Sequence, residues 1–236
     1  YLYRQSWRFG VTVWSMKVAI SARARPLPPI LGWEPRPELR QPTELHVERG
    51  TILFRQGDQL KVLYQVASGW MKLSRMSLSG RELIVELLFP GDYFDLHNLL
   101  DSRPTSFTAA SLTSQPAQLK CLIGSQRPAP ALLRALHVQL AEQMRRQHDM
   151  MAAMAGERVE HRILLVLQLL ARRSGRQVGP DLLVPMPITR QELAALTGSS
   201  VENSIRVMTS LHRRGLITLK ERDFCCCPTF VTRPLV

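Results

Sequence analysis

The chain has 236 residues, 45% hydrophobic and 21% charged, which is ordinary for a soluble globular protein with room for one large domain or two small ones. Its four cysteines (Cys121 and the run Cys225, Cys226, Cys227) lack disulfide-framework and zinc-type spacing and read as reduced, cytoplasmic thiols without a metal; no apolar run approaches a membrane span. The net charge of +12 is unevenly placed: residues 1–33 and 157–236 each carry an excess of five basic side chains, while residues 34–125 balance. A basic C-terminal third suits a polyanion, whose condensed counterions Lys and Arg displace, and equally suits a solvated surface until a motif decides.

Residues 1–33 are basic, with Met16 as the first methionine, and Pro26, Pro28, Pro29, Pro35 and Pro37 crowd residues 26–37. Lys17 breaks the hydrophobic part, so the segment reads as a disordered extension rather than a signal peptide. From about Glu44 to Leu122, short strands alternate with turns. Strands are expected at Thr51–Phe54, Val62–Ala67, Trp70–Arg75, Leu83–Phe89 and Phe107–Ser111, punctuated by Gly50, Gly57, Gly69, Gly80 and Gly91. In Gly57-Asp58 and Gly91-Asp92 the glycine takes a positive φ and the Asp bonds its own backbone. The expectation is an antiparallel β-roll over residues 34–128.

At Ala129 the period changes. Leu133, His137, Leu140, Met144, Gln147, Met151 and Met154 are spaced alternately by four and three, a heptad seam, with Arg134, Glu142, Arg145, Arg146 and Asp149 around it. Such a stripe often packs on its own domain. An uncapped run of this length with polar flanks on both sides favours pairing with a second copy, making residues 129–156 a dimerisation helix. Gly156, a residue that costs about 1 kcal/mol inside a helix, marks a hinge and a domain boundary. A second amphipathic helix comes next, with Val159, Ile163, Leu164, Leu167 and Leu170 on one face, and a short hairpin is expected between Ser174 and Pro187.

Residues 188–217 carry the most specific pattern. Thr189 precedes Glu192 by three, a capping box that opens a helix. Leu193, Ala194 and Leu196 form its buried face, and Gly198 ends it in a tight turn. Ser200 caps the next helix, whose Ile205, Met208 and Leu211 are expected to pack inward while Glu202 and Arg206 face outward, one turn apart. This is a helix-turn-helix with a recognition helix, and Leu216 to Phe224 would form a wing. An Arg there can donate twice to guanine O6 and N7, and a Glu can accept from cytosine N4. The plainer alternative is a structural helical hairpin, with Glu202 and Arg206 an ion pair four residues apart.

Taken together, Leu53-Phe54-Arg55-Gln56-Gly57-Asp58, Ser68-Gly69, Gly80-Arg81-Glu82, Pro90-Gly91-Asp92, Leu140-Ala141-Glu142-Gln143-Met144 and the stretch from Thr189 to Ile217 resemble the family of the cyclic-AMP receptor protein and the fumarate–nitrate reduction regulator. The resemblance implies an α+β chain: an N-terminal β-roll like that of cyclic-nucleotide-binding proteins, a long dimerisation helix, and a winged helix-turn-helix over residues 157–236. It further implies a cytoplasmic homodimer that binds palindromic double-stranded DNA and touches RNA polymerase. By the same resemblance Glu202 and Arg206 match base-reading positions. Thr189, Gln191, Ser200 and Asn203 match phosphate-holding positions, with Arg190 and Ser199 beside them. Val201 stands where one branch has a further base-reading Arg, and Ile205 where the other has Ser.

The sensor residues depart from the cyclic-AMP binders. Asp95-Leu96 occupies the place of their Gly-Glu, and Pro104-Thr105 that of the Arg-Ser that holds the cyclic phosphate, with Arg103 one residue off. An acidic residue without the Arg is a poor phosphate cradle. The run from Gly91 to His97 resembles the carbon-monoxide-sensing haem regulators, in which a His at this place ligates iron; a loop histidine is more often solvated or packed. The expected effector pocket is therefore Asp95, His97, Arg103 and Thr105, with no cofactor named beyond that minority haem reading. A cyclic-nucleotide-binding-type interaction module without DNA binding is the competing function. An enzyme is the least supported, because no Ser/His/Asp or Cys/His constellation has a recognisable spacing.

Overall fold

A computed structural model describes residues 43–60, 62–95, 103–112, 114–122, 130–156, 158–220 and 223–226. The extension at 1–33, His97 and Cys227 lie outside the described residues. Strands β1 (Thr43–Val47) and β2 (Ile52–Phe54) lead into β3 (Leu63–Ser68), β4 (Met71–Met76), β5 (Glu82–Leu88), β6 (Tyr93–Phe94), β7 (Thr108–Ser111) and β8 (Ala117–Leu122). They form two four-stranded antiparallel sheets, ordered β1-β8-β3-β6 and β2-β7-β4-β5. Both sheets supply one core, including Val47, Val66, Met71, Leu73, Leu88 and Leu119. Phe54, Tyr64 and Phe94 fill it with rings whose centroids lie 5.2 to 6.2 Å apart.

The turn chemistry matches the sequence. Phe89 N–H donates to Asp92 Oδ2 at 2.9 Å, and Arg55 N–H donates to Asp58 Oδ2 at 2.8 Å. Gly69 is required for two reasons: its φ is +72°, and a Cβ there would stand 2.2 Å from the Pro116 carbonyl oxygen.

In β5, Ile84 and Leu87 face the same core although they are three positions apart, an offset that strict alternation would send to opposite faces. The register with β4 pairs Leu73 with Glu86 and Ser74 with Ile84, so Val85 is an extra, bulged residue that resets the alternation. Leu88 points instead into the roll.

Helix α1 spans Pro130–Gly156 and α2 spans Val159–Ser174. Proline suits the first position of α1, where an N–H would have no partner inside the helix. Leu136 and Ala153 are the buried residues of α1, and on the same flank polar side chains reach its own roll. The Gln139 amide donates to the Tyr93 carbonyl at 2.6 Å and accepts from the Tyr93 N–H at 2.9 Å, and Arg146 Nη2 lies 2.7 Å from Glu86 Oε1. Arg146 therefore works on that flank rather than as part of a free polar surround. Burial pushes the Glu86 carboxyl above its ordinary range, against the opposing pull of Arg146. In α2 the buried stripe is Ile163, Val166, Leu167, Leu170 and Ala171; Val159 and Leu164, expected within it, are half-buried at its edge.

The hairpin expected between Ser174 and Pro187 is β9 (Arg176–Val178) with β10 (Asp181–Pro185). Together with β11 (Thr218–Leu219) and β12 (Asp223–Cys226) it makes a third sheet, ordered β11-β12-β10-β9. Helix α3 (Arg190–Thr197) and helix α4 (Val201–Arg213) lie between these strand pairs in the chain.

Gly156 ends α1, yet the apolar core does not divide there. Trp70, Ile84, Leu87, Phe89 and Leu112 of the roll belong to the same buried cluster as Ile163 and Leu167 of α2, Leu193 and Leu196 of α3, and Met208 and Leu211 of α4. Polar links reinforce the contact. Lys72 on β4 lies 3.2 Å from Glu82 and 3.6 Å from buried Glu192 on α3. Arg173 lies 2.6 Å from Asp92, with its guanidinium carbon 4.8 Å from the centre of the Phe89 ring. The Ser114 hydroxyl donates to the Pro187 carbonyl.

Candidate DNA-reading surface

The capping box at the start of α3 is formed. Thr189 Oγ1 accepts from Glu192 N–H at 3.1 Å, and Glu192 Oε2 accepts from Thr189 N–H at 2.9 Å. The helix ends where Gly198 takes φ +59°, with its N–H donating to the Ala194 carbonyl. A chain of hydroxyls then fastens the turn. Thr197 Oγ1 donates to the Leu193 carbonyl at 2.8 Å, Thr197 and Ser199 hydroxyls are 2.9 Å apart, and Ser199 and Ser204 hydroxyls 2.8 Å apart. The Ser199 side chain thus holds the turn together. Ser200 caps α4 by accepting from Asn203 N–H at 3.2 Å.

The buried face of α4 is Ser204, Met208 and Leu211, spaced by four and three. This corrects the expectation that Ile205 packs inward: Ile205 is 46% exposed. Residue type alone assigns an isoleucine to the core, whereas counting back from Met208 and Leu211 by helical spacing lands on Ser204. The outward face consists of Glu202, Ile205 and Arg206, with Thr209 half-buried beside them.

Glu202 and Arg206 each have a partner other than the other. Its own backbone N–H and the Ser200 hydroxyl hold the Glu202 carboxyl below the usual carboxylate range. Arg206 Nη2 donates to Asn203 Oδ1 at 3.2 Å. Gln191 is exposed. Arg190 is half-buried, burial lowers its pKa, and its Nη1 is buried without a hydrogen-bond acceptor among the described residues. The surface carries a base acceptor, a base donor and an aliphatic group, flanked by backbone and hydroxyl donors at two helix starts. Such helix starts attract phosphate oxygens.

The seam of α1 lies one residue, or about 100°, around the helix from the flank that packs on the roll. Leu133, Met144 and Met151 are 39%, 55% and 66% exposed; His137 is exposed, and Leu140, Gln147 and Met154 are half-buried. Neighbouring Val138 is 54% exposed, extending the apolar stripe. Near that stripe a cavity of about 650 Å³ opens between β5, α1 and α2, lined in part by Val85, Met150, Met151, Met154 and Leu169.

In the sensor region Asp95 is buried at φ +70°, Arg103 is exposed, and Thr105 is buried with its hydroxyl donating to the Phe107 carbonyl at 3.3 Å. His97, the remaining member of the expected pocket, lies outside the described residues.

Residues 44–118 match the cyclic nucleotide-binding domain family, and residues 139–226 match the Crp-like helix-turn-helix domain family. The chain is 31% identical over 176 residues to the cyclic AMP receptor protein of Thermus thermophilus, covering 72% of this chain and 77% of that protein. It is 29% identical over 181 residues to a CRP-like cAMP-activated global transcriptional regulator of Mycobacterium tuberculosis, covering 74% and 80%. Among solved structures, FixK2 from Bradyrhizobium japonicum shares the fold with a TM-score of 0.68 at 18% identity, covering 80% of this chain and 93% of that one. A CRP-family transcriptional regulator from Thermus thermophilus shares it with a TM-score of 0.65 at 22% identity, covering 81% and 98%.

Proposed function

This chain belongs to the family of the cyclic AMP receptor protein and is a DNA-binding transcription regulator; from that premise we propose that it acts in the cytoplasm as a homodimer on a palindromic site. The observation that carries the reading is the outward face of α4, where Glu202 and Arg206 stand opposite the buried Ser204, Met208 and Leu211. In this reading Arg206 donates to a guanine and Glu202 accepts from a cytosine. Thr189, Arg190, Gln191, Ser200 and Asn203 position the phosphates, the first and fourth mainly through the helix starts they cap. Ser199 contributes by fixing the turn between the two helices.

Two copies pair along Leu133, His137, Leu140, Met144, Gln147, Met151 and Met154, which removes exposed methionine and leucine surface from water. The second helix would also close the cavity that Met151 and Met154 line. The bound dimer then contacts RNA polymerase, activating or repressing according to where its site lies.

Cyclic AMP is not the effector; the roll answers to another ligand or the protein is governed by its own abundance. Pro104 and Thr105 replace the phosphate-holding pair, the Thr105 hydroxyl is engaged within its own turn, and stacked Phe54, Tyr64 and Phe94 occupy the interior of the roll. Selection of bound duplexes from a random pool tests the whole reading. A two-fold palindrome with half-sites one helical turn apart is expected. Recovery of sequences with no common element overturns it.

A further inference from the structure

We propose that Ile205 reads a thymine, by apolar contact of its side chain with the C5 methyl group in the major groove, beside the G·C pair read by Arg206. The assignment rests on the reading that α4 enters the groove. Ile205 is 46% exposed on a helix whose other apolar anchors, Met208 and Leu211, are 1% and 0% exposed, so the packing of α4 does not require it. At about 100° per residue it stands on the flank of α4, about 60° from Glu202 and from Met208 alike, and its exposure sets it on the open side of that flank. Its backbone carbonyl accepts from the Thr209 hydroxyl at 2.9 Å, so Thr209 turns its own polar group back to the helix and leaves Ile205 the apolar element of that surface.

The chemistry narrows the target. Isoleucine has no donor or acceptor and cannot read the nitrogen and oxygen pattern of a base edge. The one apolar group displayed by base edges in the major groove is the thymine methyl. A cytosine amino group or a purine N7 placed against this side chain would lose water without gaining a hydrogen bond, which disfavours those bases. A β-branched residue in a helix is held close to one χ1 rotamer, so the contact is stiff and selective. Adjacent residues on α4 differ by about 1.5 Å along its axis, which places the thymine within about one or two base pairs of the guanine.

The test uses the full chain and the duplex recovered by selection, with each thymine replaced in turn by deoxyuridine, which removes the methyl and nothing else. Wild-type protein should lose about fourfold in affinity per half-site at one thymine near the Arg206 guanine, the worth of one buried methyl group. Ile205→Ala should bind thymine and uracil duplexes alike, keep the guanine preference of Arg206 and leave the melting transition unmoved. Ile205→Val should retain part of the discrimination. Insensitivity to uracil at every position overturns the proposal. So does an Ile205→Ala protein that still loses fourfold, or a loss of discrimination that tracks Val201→Ala instead. Sequence-selective binding without methyl dependence removes only this assignment, whereas absence of selective binding removes the DNA-reading face itself.

Discussion

Arg190 and Arg206 carry the same charge on neighbouring helices, but their surroundings differ, and with them the roles proposed for each. Arg206 projects from the outward face of α4 and is steadied by Asn203, whereas Arg190 is half-buried beside the start of α3. Arg206→Ala should therefore cost about 1–3 kcal/mol at one G·C pair and relax preference there, while Arg190→Ala weakens all sequences alike and lowers the salt slope by about one. Titrations over single-base variants at several salt concentrations separate the two; equal losses at every base for Arg206→Ala would make it a phosphate contact. A second residue-scale prediction concerns Tyr64, whose phenol burial pushes up from 10.0 to about 12, with Cys121 and Asp95 adding to the shift. The unfolded chain releases this proton near its ordinary pKa and the folded chain only near 12, so stability is intact below pH 10 and is lost as pH rises from 10 to 12. Denaturant unfolding at about pH 9 and about pH 11 should show the fall, and Tyr64→Phe should remove that component. An unchanged pH slope in Tyr64→Phe would assign the alkaline loss to other groups.

Helix α1 presents two stripes, one on its own roll and one open, and the proposed assembly uses the open one. Met144→Glu and Met151→Glu together would set charges of one sign against each other across the proposed two-fold axis, where their desolvation is uncompensated. Sedimentation should show a monomer, with operator binding lost alongside, because a single half-site holds too weakly. A variant that stays dimeric would place the interface elsewhere. The heptad spacing of this seam is legible because seven residues repeat it, and the capping box and Gly198 turn are legible because each is a local signal with a fixed offset. Strands β1, β6 and β8 are not. Thr43–Val47 and Ala117–Leu122 pair with each other across some seventy residues of chain, and β6 is two residues long, so their existence depends on distant partners. Val166 lies outside the apolar stripe expected of α2, and hydrophobicity alone puts Ile205 in the core although helical phase from Met208 points to Ser204. The intramolecular stripe of α1 uses Gln139 and Arg146, polar residues whose pairing with Tyr93 and Glu86 no local pattern announces.

Across the whole molecule, the roll and the helix-turn-helix share one buried cluster, so both should melt in a single cooperative transition. Millimolar cyclic AMP should leave that transition where it is. A ligand selective for the folded state adds about 2.7 kcal/mol at a hundredfold excess over its dissociation constant, a shift calorimetry resolves easily. A clear rise in melting temperature would mean that Arg103, beside the missing clamp, holds the cyclic phosphate after all. The shared cluster also bears on how such a protein can be taken apart. Gly156 invites a fusion point for grafting the C-terminal module onto a foreign sensor. A cut there strips Leu193, Leu196 and Leu167 of Trp70, Ile84, Leu87, Phe89 and Leu112, and leaves Glu192 buried beside no lysine. A transplanted module would carry a naked greasy flank and clump. A working chimera has to bring the outer surface of β4 and β5 with it, so the unit of inheritance here is larger than the helix-turn-helix.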